Sequence, residues 1–323
     1  MKIILNKYLP IICLSILLLS GKKKSTEPLF DIITFEKSFV FIPSDTLTYY
    51  NYHEVRAVER NFEKKADTLL KSFYLCDHEV TNGEYLFFLM NMKKENQKLY
   101  ESMLPDTMVW EEFFSNCQPL IINYLRSERF RKYPVVGVSY FQANYYLKWL
   151  TNFYSNFSDA KFKDAKFSLP LNVEWSLAYS GASKFNEFPW HGPFIEKDKR
   201  GNWPANFWEV PQHSIYFQKD SVGANASKAW RVGQLSVTGE RSAFSFSEVP
   251  TKPVKSYKAY HGHYDMAGNV EEMVLEQGVT KGGSWMTPGF SLKRHSTGNY
   301  QGLHSSSRTR GFRVKMTVKS TTP

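Results

Sequence analysis

Apolar residues at helical spacing predict two helices in the first half of the chain, and each begins at a capping box. Thr81 and Glu84 form one box, and Ser139 and Gln142 form the other. In such a box, side-chain oxygens accept hydrogen bonds from backbone amides that the first turn leaves unpaired. The apolar faces behind the boxes are Tyr85, Leu86, Phe88 and Leu89 in the first helix, and Ala143, Tyr146, Leu147 and Leu150 in the second. We therefore predict one helix from Thr81 onward and another over about 140–153.

Short apolar stretches bounded by turn residues predict strands. A weak alternation of Phe and Ile over 30–43 predicts a first strand, and 71–80 and 133–139 predict two more. A further helix is expected to end at Ser180, because Gly181 then provides a glycine C-cap.

The amino-terminal segment has the pattern of an export signal. Lys2 and Lys7 flank the start of the chain, and an apolar run over 11–20 follows that is too short to span a bilayer comfortably as a helix. The run ends at small residues, so 1–21 is predicted to be a signal peptide; a membrane anchor or a buried strand is the alternative. The segment is lipoprotein-like, but Lys22 stands where a bacterial lipobox has its Cys.

Length and composition allow a large buried core. The chain has 323 residues, of which 42% are hydrophobic and 16% aromatic, so one large domain or two small ones would fit. Residues 22–70 are polar at first and then without clear period, and we assign them to a linker and N-terminal extension. Cys76 and Cys117 could pair in an oxidising compartment, but two cysteines make no disulfide framework.

The charge of the chain is basic and dispersed. Removing the predicted signal peptide takes away Lys2 and Lys7 and lowers the formal net charge from +10 to +8. A basic surface favours anionic lipid, glycan or an acidic protein as a partner. No nucleic-acid-binding motif is present, so nucleic acid is not expected as a partner.

Glycine-punctuated motifs fill the carboxy-terminal part of the chain. They are Tyr264 to Glu272 (YDMAGNVEE), Lys281 to Trp285 (KGGSW) and Gly311 to Arg313 (GFR), and Glu79 to Asn82 (EVTN) precedes them. In this order they resemble the formylglycine-generating, or sulfatase-modifying factor, family over roughly 71–316. The resemblance implies a single α+β domain related to the C-type-lectin-like fold, followed by a tail at 317–323. Arg313 is expected to be a structural ion-pair partner.

Two carboxylates bracket the glycine turn of the first of these motifs. Asp265 and Glu272, with the carbonyl groups of Gly268 and Val270, offer only oxygen ligands, which suits calcium; the alternative is a polar turn with a solvated Glu. The resemblance implies a structural calcium at these four residues.

The resemblance also implies a second calcium site. It would begin at Asn206 and the carbonyl of Phe207, but the Asp-x-Phe partner expected downstream is absent.

The catalytic cysteines of the family are missing. The resemblance places the two copper-binding cysteines of the oxidases at Thr287 and Leu292. Cu(I) prefers sulfur ligands, and neither side chain supplies a thiolate, so copper is not expected. His261 and His263 are expected to be exposed loop histidines, with a metal-ligand pair as the alternative.

Two functions of different class follow. The first is a non-catalytic, exported protein of the periplasm or outer membrane that binds an envelope protein or a glycan, or serves as a structural component. It is similar to gliding-motility and type IX secretion lipoproteins, and its N-terminus would allow membrane association. The alternative is an oxygen-dependent oxidase or hydroxylase that uses other ligands, such as iron held by His295 and His304 near Thr287 and Leu292. Function depends on the site rather than on the fold, and this site lacks its thiolates.

Overall fold

A computed structural model provides the fold. It describes residues 31–51, 63–111, 117–158, 160–181, 186–190, 192, 194–209, 215–219, 228–232 and 250–319. The predicted signal peptide at 1–21 and the lipobox position Lys22 lie outside these residues. Within the described part of the chain, no helix is long and apolar enough to cross a membrane.

The described residues contain short helices and a pair of longer ones. The α-helices are α1 (Ile32–Lys37), α2 (Asn82–Glu95), α3 (Gln97–Met103), α4 (Gln118–Asn123), α5 (Tyr140–Ser155) and α6 (Asn172–Ser180), and 3₁₀ turns lie at Thr107–Trp110, Glu128–Phe130 and Gly289–Leu292.

Both predicted capping boxes are confirmed. At α2, the amide of Glu84 donates to Thr81 Oγ1 over 3.2 Å, and the amide of Thr81 donates to Glu84 Oε2 over 2.7 Å. At α5, Ser139 and Gln142 exchange the equivalent bonds over 3.2 and 2.8 Å. The first turn of each helix is therefore stabilised by its own side chains.

The third predicted helix is α6, and it ends where the sequence predicts. Leu171 stands at its N-cap without a side-chain acceptor, but its amide donates to Glu174 Oε2 over 2.7 Å, which preserves half of a capping box. Gly181 follows the last helical residue with φ of 55°. Since this region favours glycine, the helix stops there.

Strands form two four-stranded sheets and two hairpins among the described residues. The strands are β1 (Phe39–Ile42), β2 (Asp45–Asn51), β3 (Glu63–Leu70), β4 (Phe73–Cys76), β5 (Lys166–Ser168), β6 (Ile215–Lys219), β7 (Lys228–Val232), β8 (Glu271–Met273), β9 (Val279–Lys281), β10 (Gly298–Asn299), β11 (Arg310–Phe312) and β12 (Lys315–Thr317). The first sheet has the order β1-β4-β12-β5 with antiparallel pairs throughout.

The second sheet has the order β10-β9-β8-β11, and its pair β8–β11 is parallel. This pair brings the motifs that contain Glu272 and Gly311 side by side, with these two residues in register. The other two sheets are the hairpins β2–β3 and β6–β7.

Two predicted strands differ from the structure. The stretch 30–43 holds α1 followed by β1, because Asp31 caps a helix by accepting from the amides of Ile33 and Thr34. β1 pairs with β4, so this part of the predicted N-terminal extension is built into the first sheet.

The predicted strand at 133–139 is wrong. Its pairing is limited to a single bridge between Thr81 and Pro134. Pro134 has no amide to donate, and Gly137 takes φ of 74°, which ends extended pairing.

The main core lies between α2, α5 and the first sheet. Tyr85 and Phe88 of α2 pack against Tyr146 and Trp149 of α5, with ring centroids 5.7 Å apart for Tyr85 and Tyr146 and 5.1 Å apart for Phe88 and Trp149. A second core cluster centres on Trp175 of α6. Helices, sheets and long irregular segments thus form the mixed α+β fold that the sequence predicts.

Candidate functional site

The glycine-punctuated turns of the sequence meet backbone to backbone. In the turn before β8, Gly268 has φ of 83°, and its amide donates to the Gly282 carbonyl over 2.9 Å. The next amide, of Asn269, donates to the Asn206 carbonyl over 2.7 Å. A Cβ at Gly268 would lie 2.2 Å from the Asn206 carbonyl oxygen, so this close approach requires glycine.

A buried ion pair joins two of the motifs to β4 and α6. Arg313 donates to both carboxylate oxygens of Glu272, with Nη2–Oε1 at 2.7 Å and Nε–Oε2 at 3.0 Å, and these two side chains are at most 1% exposed. Trp175 Nε1 donates to Glu272 Oε2 over 2.8 Å. Arg313 also donates to the carbonyls of Cys76 and Tyr264. The predicted structural ion pair of Arg313 is confirmed.

Two further buried carboxylates lie beside this pair. Glu79 accepts from Asn269 Nδ2 over 3.1 Å and from the Val270 amide over 3.4 Å. Asp265 Oδ2 accepts from the Lys255 amide over 2.6 Å, whereas its buried Oδ1 has no hydrogen-bond donor among the described residues. We call Glu79, Asp265, Glu272 and Arg313 the carboxylate cluster; it holds three acids and one base.

Burial sets the acidity of this cluster. Burial raises the pKa of Asp265 to about 6, the charge of Glu272 adds to the rise, and the Lys255 amide and Arg313 oppose it. Burial and the charges of Asp265 and Glu272 also raise the pKa of Glu79 well above its ordinary value. The donor-free Oδ1 of Asp265 leaves one buried carboxylate oxygen available to a cation, but Glu79, Asp265 and Glu272 do not place one oxygen each within 4.8 Å of one another.

The structure brings the predicted calcium residues together, with one complication. Asp265, Gly268 and Val270 lie in the turn before β8 and Glu272 lies in β8, but both oxygens of Glu272 are already engaged by Arg313 and Trp175. The sequence analysis included Glu79 in the motif Glu79 to Asn82 but did not assign it to the calcium site. Calcium at these residues stays a prediction.

The second predicted calcium site lies against the first. The Asn206 carbonyl accepts a hydrogen bond from the Asn269 amide, and the side-chain Nδ2 of Asn206 donates to the Pro250 carbonyl over 2.8 Å. The ring of the next residue, Phe207, packs against Trp203. These contacts use Asn206 to join the glycine turn to a neighbouring loop. The second calcium also stays a prediction.

The two positions of the missing cysteines converge, but both have structural roles. A Cβ on Gly283 would lie 2.8 Å from Thr287 Oγ1 and 2.9 Å from Leu292 Cδ2, so both side chains pack on the same glycine. Thr287 Oγ1 accepts from the Ser284 amide over 2.7 Å and caps a turn. Leu292 is fully buried in the core cluster around Trp175.

The histidines proposed as substitute ligands are engaged elsewhere. Arg294 Nη2 lies 2.8 Å from His295 Nε2, and burial together with the charge of Arg294 lowers the pKa of His295 to about 3. The His304 ring packs on Phe141 with centroids 5.2 Å apart.

The expectation of two exposed loop histidines is wrong for His263. It is 2% exposed, and burial, followed by the charge of Arg313, lowers its pKa to about 3. His261 is partly buried, with its ring against Gly181. The turn before the carboxylate cluster folds the His263 ring inward, which a loop pattern alone does not indicate.

One set of metal-ligating groups stands out among the described residues. Ligand atoms of Cys76, Asp77 and His78 all lie within 4.8 Å of one another. Among the described residues, no other three His, Cys, Asp or Glu side chains bring their ligand atoms this close together. The cluster of histidines and carboxylates that an iron oxidase would need around Thr287 and Leu292 is therefore not found in the described residues.

An open aromatic groove of about 650 Å³ lies beside the carboxylate cluster. Its walls come from residues 190, 192, 194–204 and 252–260, and they include Trp190, Phe194, Glu196, Trp203, Lys252, Tyr257, Lys258 and Tyr260. A narrow extension that shares Trp190, Tyr257 and Tyr260 leads to His263 and Asp265. The sequence shows the aromatic residues but not that these two loops face each other.

Comparison with known proteins identifies the family. Residues 35–318 match the sulfatase-modifying factor enzyme 1-like domain, so the chain belongs to the FGE-sulfatase family. The matched range includes β1, which pairs with β4 in the first sheet.

The solved structure of PvdO shares this fold at low sequence identity, and CarF is a further match. PvdO from Pseudomonas aeruginosa is 16% identical with a TM-score of 0.53, and the alignment covers 86% of this chain and 93% of that one. CarF is 16% identical with a TM-score of 0.49, over 87% of this chain and 98% of that one.

A curated relative matches over a shorter stretch. The serine/threonine-protein kinase pkn1 of Chlamydia pneumoniae is 28% identical over 141 residues, which are 43% of this chain and 18% of that protein. The chain thus matches less than a fifth of that relative's length.

Proposed function

We propose that the protein is a non-catalytic member of the FGE-sulfatase family that is exported and binds a ligand in the cell envelope. The observation that carries this proposal is the state of the two cysteine positions. Thr287 caps a turn and Leu292 fills the core, so the two positions that the family resemblance assigns to copper-binding cysteines have structural roles here. Export is supported by the pattern of 1–21, and a gliding-motility or type IX secretion role is the finer form of the hypothesis.

The aromatic groove is the proposed binding face, and a glycan is the proposed ligand. Aromatic faces cover the apolar faces of sugar rings, while a few polar groups around them fix orientation, as in other ligand sites. Glu196, Lys252 and Lys258 supply such groups at the groove. The net positive charge of the chain additionally favours an acidic glycan.

The groove is also held in place before a ligand arrives. Trp190 stacks on Phe188 with centroids 5.0 Å apart and planes at 6°, and its Nε1 donates to the Phe194 carbonyl over 2.8 Å. Trp203 Nε1 donates to Glu209 Oε2 over 3.0 Å. Rings fixed in this way lose little conformational entropy on binding.

Replacing Trp190 with alanine is expected to weaken glycan binding about tenfold or more, roughly 1.4 kcal/mol, because a preformed stacking face is lost. An array of bacterial envelope saccharides identifies the ligand, and calorimetry with that saccharide measures the affinity. Phe141→Ala, an exposed aromatic outside the groove, is the matched control and should bind as the parent does.

Three results would contradict parts of this proposal. Equal glycan affinity in the Trp190 variant, or binding of an envelope protein and of no saccharide, would remove the groove as a glycan site. Oxidation of a cysteine peptide by the purified protein with copper or iron and dioxygen would show that the protein is an oxidase.

We further propose calcium as a structural ion of the carboxylate cluster. Asp265, with its donor-free Oδ1, and Glu79 supply negative oxygens that Arg313 alone does not balance. A hard cation prefers oxygen ligands of this kind, including carbonyls such as those of Gly268 and Val270. The ion would bind oxygens of both the glycine turn and the core and so hold them together.

In the presence of a chelator, Asp265 is expected to lower stability as the pH rises from about 4 to above 6. The ordinary pKa of Asp265 is 3.8 and its folded pKa is about 6, so the folded chain holds a proton that the unfolded chain releases in this window. The contribution of Asp265 to stability is therefore lower above this window by roughly 3 kcal/mol, at 1.36 kcal/mol for each unit. His263 and His295, whose folded pKa values are about 3, contribute in the opposite direction over the same window, so the effect of Asp265 is the difference in pH slope between the parent and an Asp265 variant. Calcium should offset the contribution of Asp265 at pH 7.5.

Urea unfolding at pH 5 and 7.5, with chelator and with calcium, measures this effect. Asp265→Asn is the control, since its oxygen remains but the titrating group is gone. The variant lacks the downward contribution of Asp265, so its stability should rise more with pH than that of the parent, and it should lose most of the calcium response. An unchanged pH slope in this variant would show that Asp265 is not the titrating group. Equal stability of the parent with chelator and with calcium would show that calcium does not stabilise the carboxylate cluster.

A further inference from the structure

At the end of β4, the consecutive residues Cys76, Asp77 and His78 bring a thiol, a carboxylate and an imidazole close together. His78 Nδ1 lies 2.5 Å from Asp77 Oδ1 and 3.5 Å from Cys76 Sγ. Cys76 is 3% exposed, and the side chains of His78 and Asp77 are 12% and 14% exposed. We call these three side chains the β4-end cluster; neither the groove nor the carboxylate cluster uses them.

The backbone that carries the β4-end cluster is fixed on both sides. The Cys76 amide donates to the Val314 carbonyl over 2.9 Å, and the Cys76 carbonyl accepts from Arg313 Nη1 over 3.1 Å. The Asp77 amide and carbonyl are bound by Ser38 and Tyr264, each over 2.7 Å. Since these four bonds hold the main chain, the three side chains have little freedom to separate.

A carboxylate lies on the far side of the imidazole. Glu84 Oε1 is 3.5 Å from His78 Nε2, while Glu84 Oε2 is held by the amide and the hydroxyl of Thr81. A histidine that binds a metal through one nitrogen usually donates its other N–H to a carboxylate, which fixes the ring and its tautomer. Glu84 is placed to do this when Nδ1 is the ligand.

We propose that Cys76 Sγ, Asp77 Oδ1 and His78 Nδ1 form a binding site for zinc or a similar divalent transition metal. Sulfur, nitrogen and carboxylate oxygen are the ligands that zinc takes in proteins, and three protein ligands leave a fourth position for water. Calcium, which takes oxygen ligands, is the ion proposed for the carboxylate cluster instead. The two proposed sites therefore differ in ligand chemistry.

Metal binding at the β4-end cluster displaces protons. The thiol of Cys76 gives up its proton to solvent, and so does the imidazole nitrogen that becomes the ligand. The metal would take the place of the proton that lies between His78 Nδ1 and Asp77 Oδ1 in the metal-free protein.

Cobalt(II) replaces zinc as a visible probe. The full chain titrated with Co²⁺ is expected to bind about one ion with a thiolate-to-cobalt charge-transfer band, and Zn²⁺ should remove the band by displacement. Cys76→Ser should lose the band. A variant in which Cys13 and Cys117 are both serine should keep it, because Cys76 then remains as the sole cysteine.

Further variants keep the test decisive if Cys76→Ser does not fold. His78→Gln keeps the thiol and should lower cobalt affinity at least tenfold, and Glu84→Gln, which preserves the capping oxygen, should lower it by about 10–100-fold. Circular dichroism confirms that each variant is folded. Absence of the charge-transfer band in the parent chain, or its persistence in Cys76→Ser, would overturn the proposal.

Discussion

Replacing Arg313 with methionine should lower the free energy of unfolding by about 3–5 kcal/mol. Methionine keeps a long apolar side chain but leaves Glu272 without its partner inside the protein, and removal of one member of a buried ion pair has a cost of this size. Here Glu79 and Asp265 add negative charge at the same place. Urea unfolding, followed by circular dichroism, measures the change.

The matched control removes the charge that Arg313 balances. Glu272→Gln combined with Arg313→Met leaves no unpaired charge at this pair, and the new side-chain amide oxygen can still accept from Trp175 Nε1. The double variant should therefore be more stable than Arg313→Met alone. A loss below about 1 kcal/mol in the single variant would mean that water or an ion reaches Glu272 and that the pair does not hold the motifs together.

Replacing Gly268 with alanine should cost about 3 kcal/mol or more, and the chain is expected to fold poorly. Two effects add: φ of 83° strains any residue with a Cβ, and that Cβ would lie 2.2 Å from the Asn206 carbonyl oxygen. The obstacle is backbone and not the end of a flexible side chain, so it has little room to move away. Thermal unfolding of the variant measures the loss.

The Gly302→Ala control separates the backbone strain of a positive φ from the steric clash of the added Cβ. Gly302 has φ of 80°, close to that of Gly268, but nothing lies within 4 Å of the Cβ position. This control should lose only about 1 kcal/mol, the cost of the backbone conformation itself. Equal losses in the two variants would show that the contact with Asn206 contributes nothing.

Local signals in the sequence predict the elements that depend on local interactions. The capping boxes at Thr81 and Ser139 and the glycine end of the helix at Gly181 are confirmed because each is satisfied within a few residues of itself. The strand predicted over 30–43 is wrong at its start, since one side chain, Asp31, caps a helix there. Such differences arise from single hydrogen-bonding groups that a hydrophobic pattern does not register.

Contacts between distant segments explain what the sequence could not predict at the site. Glu79 meets Asn269 across a separation of 190 residues, so its place in the carboxylate cluster has no local signal. The family resemblance aligned Asp265 and Glu272, but it did not show that Arg313 engages both oxygens of Glu272. Likewise, the aromatic groove forms only when residues 194–204 and 252–260 face each other.

The position of β12 determines when this molecule can become native. β12 lies between β4 and β5 inside the first sheet, and nearby Arg313 reaches the Cys76 carbonyl across 237 residues. Nearly the whole domain must therefore be synthesised before the sheet gains β12, one of its two interior strands. Until then β4 and β5 lack their shared neighbour, and loop closure over such a distance is slow. A nascent chain would remain unfinished through most of its synthesis, which is the state that a translocation channel or a chaperone can accept.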